Sequence, residues 1–124
     1  MSNGTAIAAL IIVTATSVHA ESLVPRATWS NEMANVLPAA ICRDSSYFRE
    51  CFEVPAKECH ETASASTASC LQQYKSQMPD PIKQPEDGSH WGQLVGTCTA
   101  ALYMLEHKGN KVEDAKCEDI EHWR

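Results

Sequence analysis

The chain has 124 residues, the length of one domain, with 10 Lys and Arg against 16 Asp and Glu, a formal net charge of -6, and six cysteines. A surplus of carboxylates excludes the basic face that a phosphate backbone needs, so nucleic acid is not an expected partner. An apolar share of 44% excludes a disordered acidic tail.

Residues 1–20 contain no Lys, Arg, Asp or Glu, and Ala6 to Val13 form an apolar run. Val18-His19-Ala20 then precedes Glu21 with residues acceptable at a cleavage site. This reads as a secretory signal, which makes 21–124 a single exported, periplasmic domain. The apolar run is too short to cross ~30 Å of hydrocarbon, so no membrane contact is expected after cleavage. Cys42, Cys51, Cys59, Cys70, Cys98 and Cys117 all follow the signal. An even count in an oxidising compartment reads as disulfides. With no C-x-x-C pair and no tight Cys/His cluster, no metal or other cofactor is expected.

Ser30 is placed to cap a short helix over 31–37, which Pro38 ends before a further turn through Cys42. Asp44-Ser45-Ser46 signals another start, with a short piece over 47–52. Pro55 suits the first position of a longer helix to Met78, whose face is Ala56, Cys59, Ala63, Thr67, Cys70, Leu71, Tyr74 and Met78. Residues 77–88 read as a loop rich in proline and charge. Ser89 can cap a helix over 90–107, with an apolar stripe of Trp91, Leu94, Val95, Cys98, Ala101, Leu102 and Leu105. Gly109 offers a left-handed stop. A last helix over 110–123 presents Val112, Ala115, Lys116, Ile120 and Trp123. No alternating strand pattern of useful length occurs.

The fold class is therefore all-α: a small disulfide-stapled bundle of two helical hairpins. Sequence alone leaves 15 pairings of six cysteines open. The expected set staples the second hairpin by Cys98–Cys117 and nests Cys51–Cys59 inside Cys42–Cys70. That nesting requires a helix break at 44–46, because a nine-residue step from Cys42 to Cys51 spans opposite helix faces.

No nucleophile–base pair is evident, so the chain is read as a non-enzyme. His60-Glu61 lacks the second histidine of a zinc-helix motif and reads as surface. Glu118, Asp119, Glu121 and His122 read as a solvated acidic face rather than a metal site. Gly92 and Gly96 point to close packing on the small-residue face of the helix from Pro55, or to a surface for a second copy, so a homodimer stays open. The partner-binding candidates lie in the loop: Asp80, Ile82, Lys83, Glu86 and Asp87, with Ile82 exposed and the acids facing a basic cleft. Three prolines lower the ordering cost of such a loop.

The run Cys51-Phe52-Glu53-Val54 with Cys59 and Cys70, followed by Asp87-Gly88-Ser89-His90-Trp91-Gly92, Gly96 and Cys98, resembles small secreted helical proteins of gram-negative bacteria. Some of these are immunity proteins beside type VI secretion effectors. The resemblance implies a periplasmic protein that covers the active cleft of a delivered toxin, often a cell-wall hydrolase. The alternatives are a carrier of a small apolar ligand between helices, and an acid-stress chaperone that releases apolar surface as carboxylates protonate.

Overall fold

The computed structural model of the chain describes Ile12 and residues 21–124; the expected export signal otherwise lies outside these residues. Strand β1 (Ser22–Val24) leads into helix α1 (Arg26–Ile41), the short α2 (Tyr47–Glu50) and the central α3 (Ala56–Tyr74). Strand β2 (Ile82–Gln84), α4 (Glu86–Glu106), a 3-10 turn (Lys108–Asn110), α5 (Ala115–Glu118) and a last 3-10 turn (Ile120–Trp123) follow. The architecture is helical and disulfide-stapled, as expected. α3 packs on α1 along one side and on α4 along the other.

α1 begins earlier and ends later than the sequence suggests. Pro38 lies inside it, and its carbonyl accepts the Cys42 N–H at 3.0 Å. A proline there forfeits one helical bond, a cost of about 3 kcal/mol. Here its ring is fully buried, so packing in the bundle offsets the lost bond. Ser30 caps nothing. The Arg26 N–H at the helix start is instead satisfied from across the chain by Asp80 Oδ1, at 3.1 Å. The expected start at Ser46 holds: its hydroxyl accepts the Arg49 N–H at 3.3 Å and donates to the Ile41 carbonyl, linking α1 to α2.

α3 follows the expected stripe at Cys59, Ala63, Thr67, Cys70 and Leu71, with Ser66 buried beside them, while Ala56 is exposed. It stops at Tyr74, and Met78 is buried beyond its end. Thr67 is tolerated in the core because its hydroxyl donates to the Ala63 carbonyl at 2.8 Å. α4 starts at Glu86, three residues before Ser89, so Ser89 is not its cap. Its fully buried residues are Val95, Thr99 and Tyr103, while Leu105, placed in the stripe by the sequence, is 64% exposed. Gly92 and Gly96 face Met33 and Leu37 of α1, not α3. A Cβ at either would meet them at ordinary contact distance, 3.9 and 3.8 Å, so neither glycine is forced by a close approach.

The expected helix over 110–123 is broken. Among the described residues no glycine takes a positive φ, so Gly109 forms no left-handed stop. Asn110 instead closes a 3-10 turn on His107, and Lys111 forms an isolated antiparallel bridge with Phe52. Asp114 and Asp119 then restart the chain twice, their carboxylates accepting the N–H groups of Lys116 at 3.0 Å and Glu121 at 3.1 Å. The residues expected to form a plain loop before α4 include β2, which pairs antiparallel with β1: Ser22 opposite Gln84, Leu23 opposite Lys83, Val24 opposite Ile82. Three-residue strands are too short to carry a readable alternation.

All six cysteines are bridged, with a pairing that differs from the expected one at every bond. Cys42 joins Cys59, Cys51 joins Cys117, and Cys70 joins Cys98, with Cα–Cα separations of 5.9, 5.5 and 5.9 Å. The reason is the path of the chain. The segment after residue 110 turns back over α2 instead of folding along α4, which carries Cys117 to Cys51 and leaves Cys98 facing α3. The core divides between the two ends of the bundle. Ile41, Phe52, Val54, Ala63 and Tyr103 gather around two disulfides at one end. Trp29, Leu71, Met78, Ile82 and Val95 gather around Cys70–Cys98 at the other.

Candidate partner-binding surface

The loop favoured by the sequence is mostly structural. Ile82 is wholly buried among Trp29, Leu71, Met78 and Val95, the opposite of the exposed anchor expected. The period-two geometry of β2 explains this: pairing with β1 turns Ile82 inward and Lys83 outward. Asp80 caps α1, and its second oxygen lies 4.0 Å from the Arg26 guanidinium. Arg26 in turn donates to the Met78 carbonyl at 3.2 Å. Asp87 Oδ2 accepts the Lys83 N–H at 2.9 Å. Of the five nominated residues, Lys83 and Glu86 are the exposed pair with no side-chain bond holding the loop.

The histidines sit apart. His60, His90 and His122 are exposed, while His107 is buried with Nε2 2.8 Å from Thr62 Oγ1 and its ring 4.8 Å from that of Tyr103. The Tyr103 hydroxyl is buried without a hydrogen-bond partner among the described residues. Burial raises its pKa above the ordinary tyrosine value; the Arg49 charge works against that rise and Glu58 adds to it. Tyr103 is thus a neutral phenol at physiological pH. Among the described residues no three His, Cys, Asp or Glu side chains gather as a metal-binding group.

A different surface brings two exposed apolar side chains, Met104 and Ile120, to one groove. A groove of about 350 Å³ lies between α2, the C-terminal half of α4 and the last segment, lined by Tyr47, Phe48, Met104, Cys117, Glu118, Ile120 and Trp123. Met104 is 38% and Ile120 70% exposed. The wall behind them is stiff. Tyr47 meets Phe48, Phe52 and Trp123 edge to face with centroids 5.4, 5.7 and 5.6 Å apart. The Trp123 indole donates to the Lys116 carbonyl at 2.8 Å, and the Lys116 ammonium lies 5.8 Å above its ring. The Cys51–Cys117 bridge anchors the whole segment to α2's end. The sequence held the signal for this groove in Ile120, but assigned it to the inner stripe of a continuous helix. Breaking that helix at Asp119 turns Ile120 outward.

A second depression, between α3 and α4, is lined by small and polar residues of α3 with Leu102, Leu105 and Glu106. Gly92 and Gly96 are half-buried and lie against Met33 and Leu37 of α1.

The model of the family described as "T2SS substrate NttA" matches residues 23–117, well over half of the chain. The chain belongs to this family. It is therefore a secreted protein of the type II secretion substrate class, which accords with cysteines that are all oxidised. The match spans every disulfide and both core ends, so the family's defining body is the helical unit described above. No curated protein and no solved structure matches the chain. Among the described residues no helix is long and apolar enough to cross a membrane.

Proposed function

We propose that this exported protein works without catalysis, by binding a partner protein and covering part of its surface. The observation that carries the reading is the open groove beside Met104 and Ile120, held on a scaffold that three disulfides make rigid. A rigid apolar face loses little freedom on association, which is how a small protein gains affinity without a large interface. The net charge of -6 adds steering toward a basic partner and away from nucleic acid.

The narrower form of the proposal is neutralisation of a toxin, such as a cell-wall hydrolase met in the periplasm. Membership of a secretion-substrate family supports the export step. Pull-down with the oxidised protein, alongside a reduced and alkylated control, tests the reading. Stoichiometric recovery of one protein by the oxidised form alone is expected. Recovery of a lipid or small apolar molecule in place of a protein would replace it with the carrier reading. Slowing of a recovered hydrolase by the purified chain would establish the neutralising form.

A further inference from the structure

We infer that the depression between α3 and α4 binds a linear aliphatic amine whose far end carries a second polar group. The site lies apart from the aromatic groove and adds a small ligand to the protein-binding reading.

One end of the depression is acidic. α3 and α4 run antiparallel, with Thr62 Oγ1 2.8 Å from His107 Nε2 and Cys70 bridged to Cys98. Glu61 and Glu106, each one residue before the Thr62–His107 contact, therefore line the same end. Glu106 has no cation in any ion pair among the described residues. Glu61 has Lys57 at 3.8 Å, but both side chains are mostly exposed, so that pair is weak and leaves room for a ligand ammonium. A bare divalent ion needs more oxygen ligands than two carboxylates supply, and among the described residues no third His, Cys, Asp or Glu joins them. An organic cation needs no such cage.

The other end is decided by one hydroxyl. Ser66 is only 8% exposed and lines the depression, yet its hydroxyl makes no hydrogen bond among the described residues. The buried threonines nearby are satisfied within their own helices: Thr67 donates to the Ala63 carbonyl and Thr99 to the Val95 carbonyl, both at 2.8 Å. A buried hydroxyl without a partner favours a ligand that brings one. Ser69, exposed and three residues on, adds a second hydroxyl on the same side of α3. Between the two ends Leu102 and Leu105 of α4 form an apolar side, and Leu105 is 64% exposed. Carboxylates, leucines and hydroxyls thus follow one another along the depression. The ammonium, methylene stem and polar tail of a linear amine match that order. The volume of about 530 Å³ falls within the range of small-molecule sites.

Titration of the isotope-labelled, disulfide-intact chain with cadaverine, followed by amide chemical shifts, tests the inference. Shifts should concentrate at residues 61–69 and 102–106. Pentylamine lacks the second polar end and pentanediol lacks the charge, so each should bind several-fold more weakly. Glu106→Gln should weaken cadaverine several-fold. Ser66→Ala should bring cadaverine down to the level of pentylamine and leave pentylamine itself unchanged. Alanine suits a helix interior, so melting of that variant should hold. Shifts spread evenly over the acidic side chains, Glu118 and Asp119 included, would mark general attraction to a chain of charge -6 and overturn the inference. So would the absence of shifts at 61–69 and 102–106, or cadaverine affinity unchanged in either variant.

Discussion

The two ends of the bundle solve the same packing problem in opposite ways. At one end β2 lays Ile82 over Trp29 and Val95, and Asp80 closes α1, so the inward face of the strap and the Arg26 N–H are both satisfied from within the chain, while Leu23 on its outer face stays exposed. At the other end a covalent tie holds the last segment against α2, yet Met104 and Ile120 stay in solvent. Where a short strap can be threaded under a helix start, burial does the closing. Where the chain is broken by two aspartate caps, a disulfide must do it, and an apolar groove is left open.

That contrast can be broken in order of size. Replacing Cys51 and Cys117 together by Ala reopens a loop that spans 66 residues. It should destabilise the chain by about 4 kcal/mol on the loop-entropy account, seen as a lowered melting temperature and as protease cleavage within residues 111–124. Ile82→Ala comes next. A fully buried Ile costs about 3 kcal/mol when truncated, whereas Met104→Ala at the open end should change stability by less than ~0.5 kcal/mol. Urea unfolding of the two variants measures the difference directly, and equal losses would erase the distinction between the ends.

Asp80→Ala removes a cap that reaches α1 from another part of the chain, and should cost about 1 kcal/mol in the same assay. The smallest effect is invisible at neutral pH. Tyr103 has its pKa raised in the folded state, mainly by burial. Between the unfolded value, about 10, and the higher folded value, the unfolded chain releases the proton first. Stability therefore falls as pH rises through that window. Absorbance at 295 nm should show a late ionisation phase that is missing in Tyr103→Phe.

The local features were legible in sequence. The Ser46 start, the proline-led entry to α3 and the stripe Cys59, Ala63, Thr67, Cys70, Leu71 all depend on neighbours within a turn or two. The misreadings share one cause, which is that distant residues decide them. Pro38 is kept helical by burial, the α1 start is capped from residue 80, and Ile82 is turned inward by β1. The disulfide pairs followed from a path over α2 that no spacing records. The open apolar groove was missed for the same reason. The loop over 77–89 had the composition of a contact site, but Asp80, Ile82 and Asp87 are spent on the fold, while Ile120 was hidden inside an assumed helix.

The interlocked pairing constrains how the molecule can be made. Cys51 sits between the partners Cys42 and Cys59 in sequence but waits for Cys117. A chain emerging from its N-terminus into an oxidising space presents Cys42 and Cys51 to each other before either true partner arrives. Joining thiols in order of arrival therefore yields the wrong isomer. Oxidation in that order should accumulate misbridged chains, which thiol–disulfide exchange would have to reopen.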